Sequence, residues 1–300
     1  MNNLLTSSLL DSIKNKISLP AEQERFSDAN ILAMADEFIV SELVPHLMNL
    51  NLDLLTVSED ITVVSGKKSY NIPKRAISKV LRAVRYNNGE SLGYAALEDS
   101  YIAQNGGQPY AVAFQGDYFL PIPSPSSGTF QVSYACAVSS LVPVSECGLV
   151  NNVNTGAGIV SITNTPSTFV TTVKFDIVSQ DGRILQKDIL ASDISSNQMT
   201  FASLSDELQI GDYVCLARES CVITLPSEAV PVIAESVCLQ IIKSQGDVEL
   251  FNISNAQYEK MWKMFKTNMS PKLVNKTPKI GPNCLYNNFR NQRLLNNRGY

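Results

Sequence analysis

Between Tyr94 and Leu225 the chain reads as nine short apolar runs separated by turn residues, and this pattern limits the fold more than any other feature. The runs are YAVAF, DYFLPI, TFQVSYACAV, GIVSIT, FVTTVKFDIV, GRILQKDIL, QMTFA, DYVCLA and CVITL. They recur about every ten residues, with Gly, Pro, Ser, Thr and Asn between them. That spacing predicts antiparallel strands closed into a sandwich or barrel. On either side of this region the periodicity changes to that of helices. Leu5, Leu9, Leu10, Ile13 and Ile17 lie at helical spacing, and Pro20 ends the element. The stretch FSDANI then opens a second helix. Ser27 is placed to cap free N–H groups, Asp28 sits at the positive helix end, and Phe26 can staple onto Ile31. The apolar stripe continues to about residue 50, with a kink expected at Pro45 because proline removes a backbone donor. DITVVSGKKSYNIP follows and reads as a β-hairpin about a Ser-Gly turn.

Helical character returns at LPSEAVPVIAESVCLQIIKSQGD. Pro231 falls in the first turn, Gly246 at the C-terminal stop, and Asp247 at the cap of the next helix. That helix carries Phe251, Tyr258, Trp262, Phe265 and Met269 on one stripe, the pattern of core packing rather than of a ligand box. Pro271, Pro278 and Pro282 then mark an extended arm. The expected fold class is α+β: a helical bundle built from both chain ends, with an inserted antiparallel β-sandwich or barrel domain and an extended C-terminal arm. In residue numbers, 1–93 supplies the N-terminal helices and hairpin, 94–225 the inserted β domain, 226–270 the C-terminal helices and 271–300 the arm.

The arm ends NNFRNQRLLNNRGY, in a chain that is otherwise acidic. From Lys260 to Tyr300 there are nine basic residues and no acidic one, so residues 1–259 hold fifteen basic against 28 acidic residues. A solvated tail has no need of Phe289, Leu294, Leu295 and Tyr300. An extended peptide with alternating apolar and basic side chains fits docking onto another chain, with Phe289, Leu294 and Leu295 as anchors and Arg290, Arg293 and Arg298 as polar clamps. A second acid-free run holds Lys67, Lys68, Lys74, Arg75, Lys79, Arg82 and Arg85. It reads either as a solvated face or as a docking surface for an acidic partner or a phosphate backbone.

Little in the sequence points to catalysis. The only histidine, His46, lies on an amphipathic helix and reads as structural. No phosphate-binding glycine loop is present, and no carboxylate pair stands out. The six cysteines are scattered without a CxxC pair, the pattern of reduced thiols with no metal or redox work. No catalytic residue, metal ligand or cofactor is expected. With 44% hydrophobic and 17% charged residues the chain is globular, and no run of about 20 apolar residues exists to span a membrane.

The order of these features resembles the head-to-tail connector (adaptor) proteins of short-tailed bacteriophages. The matching stretches are RFSDANILAMADEFIVSELVPHLMNL, ITVVSGKKSYNIPKRAI, GDYFLPIPSPSSGTFQVSY, LPSEAVPVIAESVCLQIIKSQGD and VNKTPKIGPNCLYNNFRNQRLLNNRG. The resemblance spans almost the whole chain in the family's order, and its weight lies in the combination of these stretches. The resemblance implies a structural virion protein, not an enzyme, made in the bacterial host cytoplasm and located at the head-tail junction. It implies a ring, typically of twelve copies, below the portal and around the DNA channel. Its partners would be the portal protein, neighbouring copies, a downstream tail or nozzle protein, and DNA that passes without sequence-specific binding; no membrane is involved. Lys276, Lys279, Phe289, Arg290, Arg293 and Leu295 match the family's portal-binding arm, which here is richer in asparagine and poorer in arginine. Lys67, Lys68, Lys74 and Arg75 are candidates for a subunit or partner contact. An acidic body would present the genome with a repelling channel wall. Three other readings stay open: another ring or hub protein of the tail, a nucleic-acid-binding module using the two basic segments, and a carbohydrate-binding or hydrolytic β domain.

Overall fold

A proline in mid-helix sets the geometry of the first layer. In the computed structural model, which describes residues 4–17, 26–98, 107–195, 197–246 and 248–270, helix α1 spans Thr6–Ile17 and α2 spans Asp28–Phe38. Ser27 caps α2 as expected: its Oγ accepts from the Asn30 N–H at 3.4 Å. Phe26 and Ile31 are buried in the same cluster. Pro45 does not break the helix. Residues Ile39–Leu43 widen into a π turn, in which the Val44 N–H reaches back to the Ile39 carbonyl, and α3 (Val44–Leu50) resumes with Pro45 in its first turn. The wider turn absorbs the missing donor and the ring's bulk.

The strands that follow divide among four sheets. β1 (Thr56–Thr62), β3 (Ala76–Tyr86) and β7 (Thr129–Cys136) form a three-stranded sheet with β7 in the centre. β2 (Tyr70–Asn71), β4 (Gly93–Tyr94), β5 (Ala111–Gln115) and β6 (Tyr118–Ile122) form a four-stranded sheet in the order β2-β6-β5-β4. The segment expected to be a hairpin is therefore not one. Ser65-Gly66 does turn, with Gly66 at φ +79°, but β1 pairs with β7 and β2 with β6. Tyr70, Phe119 and Phe130 close one core between the two sheets.

A closed antiparallel barrel of six strands occupies residues 148–216. The strands are β9 (Gly148–Asn154), β10 (Ile159–Ile162), β11 (Lys174–Val178), β12 (Ile184–Ser195), β13 (Gln198–Phe201) and β14 (Tyr213–Leu216), in the order β10-β13-β12-β11-β14-β9. Its interior is filled by Val150, Val160, Ile162, Phe175, Ile177, Met199, Phe201 and Val214, so it is a packed core and not a lumen. The long β12 shifts register against both neighbours, and Asp188 within it takes φ +54°. Such irregularities bend a strand around a tight barrel. At the β9–β10 turn Gly158 sits at φ +69°, where a Cβ would lie 2.2 Å from the Phe201 carbonyl oxygen; only glycine fits. The expected strand CVITL is instead a single bridge, Val222 to Leu5, and a short parallel ribbon of β8 (Ser140–Leu141) and β15 (Glu219–Ser220) precedes it. The N-terminal residues are stitched here: Thr6 N–H donates to the Cys221 carbonyl at 2.9 Å, and Ile223 N–H to that of Leu4 at 2.7 Å.

The chain then returns to helix. α4 (Val230–Gln245) has Pro231 in its first turn and ends at Gly246 with φ +79°. Nine of its sixteen residues are buried, which marks it as the element that the others cover. α1, α2 and α5 (Val248–Met269) pack against it, and residues from both chain ends share one hydrophobic cluster. The α5 stripe is core packing as expected: Tyr258, Trp262 and Phe265 stack in sequence, and Phe38 meets Tyr258 and Trp262 edge-on. Glu235, 5% exposed, is held from two sides by Lys16 Nζ at 2.5 Å and Gln257 Nε2 at 3.1 Å. Residues 1–269 make one compact α+β unit. Asp247, expected to cap α5, and the arm at 271–300 lie outside the described residues.

Candidate functional site

Among the described residues, Arg75, Asp176 and Asp188 form a buried polar clamp. Pro73 starts a turn, closed by Ala76 N–H to the Pro73 carbonyl at 2.9 Å, that aims Arg75 at the barrel. Its Nη1 and Nη2 each donate to Asp176 on β11 at 2.7 Å, and its Nε donates to Asp188 on β12 at 2.9 Å. Asp176 is fully buried and also accepts from the backbone N–H groups of Asp188 at 2.9 Å and Arg218 at 3.0 Å. Burial works against the charge on Arg75, but the bonds to the two aspartates hold it protonated beyond the ordinary arginine range. Burial alone would raise the Asp188 carboxyl; Arg75 overrides it and holds that group below its usual value. The sequence reading offered Arg75 as a partner contact. At 4% exposure it faces inward and joins the turn before β3 to the barrel.

Beside the clamp lies a groove of about 900 Å³. Lys74, Lys174, Lys187 and Arg218 line it, together with Tyr134 and Glu59. The Tyr134 hydroxyl donates to Glu59 Oε2 at 2.9 Å. Burial, followed by that carboxylate, pushes the phenol well above its ordinary value, so it stays a neutral donor. Five cations, Arg75 among them, line the groove with two carboxylates, Glu59 and Asp188, and this excess of positive charge can hold an anion.

The rest of the basic run is partly spent within the chain. Lys79 pairs with Asp117 and Arg82 with Asp53, while Lys67 lies over the Tyr70 ring at 5.1 Å. Lys68 and Lys74 are exposed. The acid-free stretch in sequence thus meets acids that arrive from elsewhere in the fold. The arm residues Lys276, Lys279, Phe289, Arg290, Arg293, Leu294, Leu295 and Arg298 lie outside the described residues.

Two apolar surfaces face solvent. One is aromatic: Tyr94 and Tyr110 on or beside β4–β5 are 61% and 69% exposed, and the Phe114 ring lies 5.5 Å from that of Tyr94; Tyr118, 46% exposed, is on the other face of the sheet. The other lies on α5, where Ile253 and Met264, near one helix face, are 67% and 57% exposed, while Val248, 69% exposed, lies on a different face. His46 packs 5.0 Å from Trp262, in the structural role expected of it.

The cysteines hold a feature that sequence reading missed. Cys147 precedes β9, Cys215 lies in β14 and Cys221 follows β15, yet their sulfurs all lie within 4.8 Å of one another. All three are buried. Hydrogen bonding to Cys215, then to Cys221, raises the Cys147 thiol, and the bonds from Cys147 and Cys221 lower that of Cys215. No motif spacing announces this group, because a barrel strand and a ribbon bring its members together. No described helix is long and apolar enough to cross a membrane. A scan against protein-family models and a search of curated proteins each return no match.

Proposed function

We propose that this chain is a ring-forming structural protein of a phage virion, joining the capsid portal to the tail and surrounding the DNA channel. The observation that carries the reading is the presence of exposed apolar side chains on two different elements, Tyr94 and Tyr110 at β4–β5 and Ile253 with Met264 on α5. A head-to-tail ring requires two unlike patches on each subunit, whereas a two-fold dimer requires one self-complementary patch. In this reading α1–α3 and α4–α5 act as a helical bundle assembled from both chain ends, and the barrel is an insertion that Arg75 ties to the turn before β3. The C-terminal arm docks along the portal through Phe289, Leu294 and Leu295, with Lys276, Lys279, Arg290, Arg293 and Arg298 as polar contacts. Repeated around a ring, such arms give multivalent attachment that one arm alone does not.

The test is truncation after Met269. The shortened protein should keep the fold of the full chain and fail to co-sediment with purified portal rings. Mass photometry should find the full chain monomeric alone and ring-sized on portal. Attachment by the truncated chain would remove the arm from the reading.

The groove lined by Lys74, Lys174, Lys187 and Arg218 favours a second reading, a nucleic-acid-binding module. That reading predicts affinity for a DNA duplex that falls steeply with salt and is lost when Lys174 and Lys187 are replaced by Glu. The connector reading predicts portal binding that survives the same replacements.

A further inference from the structure

We propose that Cys147, Cys215 and Cys221 form a three-thiolate site for a soft d10 metal cation. The geometry is close to that of an assembled site. Thiolates about 2.3 Å from a shared ion stand roughly 3.8–4.0 Å apart, and these three sulfurs already lie within 4.8 Å of one another. A contraction of less than about 1 Å completes the shell. Three elements deliver the ligands: the entry to β9, the middle of β14 and the residue after β15. They are packed into one cluster, so the ligands are held by the fold and not by a loop.

The surroundings select the ion. Val178, Val222, Tyr213 and the partly buried Leu4, Leu5 and Val142 enclose the thiols. His46, the sole imidazole of the chain, packs against Trp262 on the helical layer. A donor set of sulfur alone in an apolar shell suits soft ions and disfavours magnesium or calcium, which require oxygen. Binding is a proton exchange without redox change: one cation enters, three S–H bonds break, three metal–sulfur bonds form and three protons leave to solvent. The stitch of Leu4 and Thr6 onto Cys221 and Ile223 lies over this cluster, so loading accompanies closure of the fold, and the binding energy adds to folding stability.

The probe is cadmium, titrated anaerobically into the reduced, chelator-treated full-length chain. We expect one tightly bound equivalent, a saturating sulfur-to-cadmium charge-transfer band, release of about three protons and a rise in melting temperature. Cys215→Ala and Cys221→Ala should lose the tight phase while keeping the far-ultraviolet circular dichroism of the parent. Cys136→Ala and Cys238→Ala, whose thiols lie outside the group, should keep it. A band that survives Cys215→Ala, or disappears with Cys238→Ala, overturns the proposal. If the cluster variants do not fold, X-ray absorption on the cadmium-loaded parent decides. Three sulfur neighbours support the site; one or two overturn it.

Discussion

Arg75 and Asp176 are 101 positions apart in the chain, and they meet end-on with both guanidinium Nη atoms 2.7 Å from the two carboxylate oxygens. The pair is buried on both sides, at 4% and 0% exposure. Losing one partner of such a pair strands a charge without water. Arg75→Met should therefore destabilise the protein by about 3–5 kcal/mol. Arg75→Lys should also cost, because an ammonium cannot grip two oxygens and Asp188 at once. Urea unfolding followed by circular dichroism measures both. A loss below about 1 kcal/mol for Arg75→Met would mean that the clamp does not hold barrel and sheet together.

Asp36 on α2 supplies a pH dependence. Its carboxylate accepts the Leu141 N–H at 2.9 and 3.0 Å, and burial nonetheless raises its pKa from 3.8 to about 6. The folded state then binds the proton more tightly than the unfolded one. The site's contribution is favourable at low pH and is lost as pH rises from about 4 to 6. Asp36→Asn should flatten that part of the stability profile by on the order of 1–2 kcal/mol relative to the parent. Comparing the two profiles cancels the opposite slopes of Asp181 and Asp188, whose carboxyls are held low.

Two glycines separate backbone strain from close approach. Gly116, at φ +58°, has nothing within 4 Å of a built Cβ, whereas the same atom on Gly158 would meet the Phe201 carbonyl. Gly116→Ala should cost about 1 kcal/mol for the left-handed conformation alone. Gly158→Ala should cost at least about 2 kcal/mol more, as the β9–β10 turn must move away from β13. Thermal melts of the two variants test this.

His46 and Trp262 are the chain's only residues of their kinds, and their rings are 5.0 Å apart. A protonated imidazole quenches indole emission. Burial, followed by the nearby Lys266, lowers the His46 pKa below 6.5. Tryptophan fluorescence should therefore rise as pH increases through a midpoint below 6.5, and His46→Gln should abolish the step.

Ile253 is 67% exposed on α5. Ile253→Asp should leave stability within about 0.5 kcal/mol of the parent. It should also prevent ring formation on portal, read by mass photometry. Rings of normal size from this variant would remove α5 from the subunit interface.

What the sequence revealed follows from how local each feature is. The Ser27 cap, the stop at Gly246 and the aromatic stripe of α5 are encoded within a few residues, and each stands where it was expected. Most barrel strands were legible by the same token. β9 was not, since GLVNNVN gives way to asparagine after its first apolar residues. Pairing partners were hidden as well, because alternation marks a strand without naming its neighbour: β1 lies against β7, some 75 positions on. Charge and thiols behave likewise. Asp53 and Asp117 come from outside the basic run to neutralise parts of it, and the three cysteines converge from separate elements.

The stitch between Leu4–Thr6 and Cys221–Ile223 orders events during synthesis. At roughly 5–20 residues per second, about 220 residues separate the two halves of that contact by some 10–45 s. For most of that interval Leu9, Leu10 and Ile13 are outside the ribosome while α4, which helps to bury them, does not yet exist. The nascent chain therefore carries α1 with its apolar face only partly covered until α4 is made, which makes that helix a natural client for a holding chaperone.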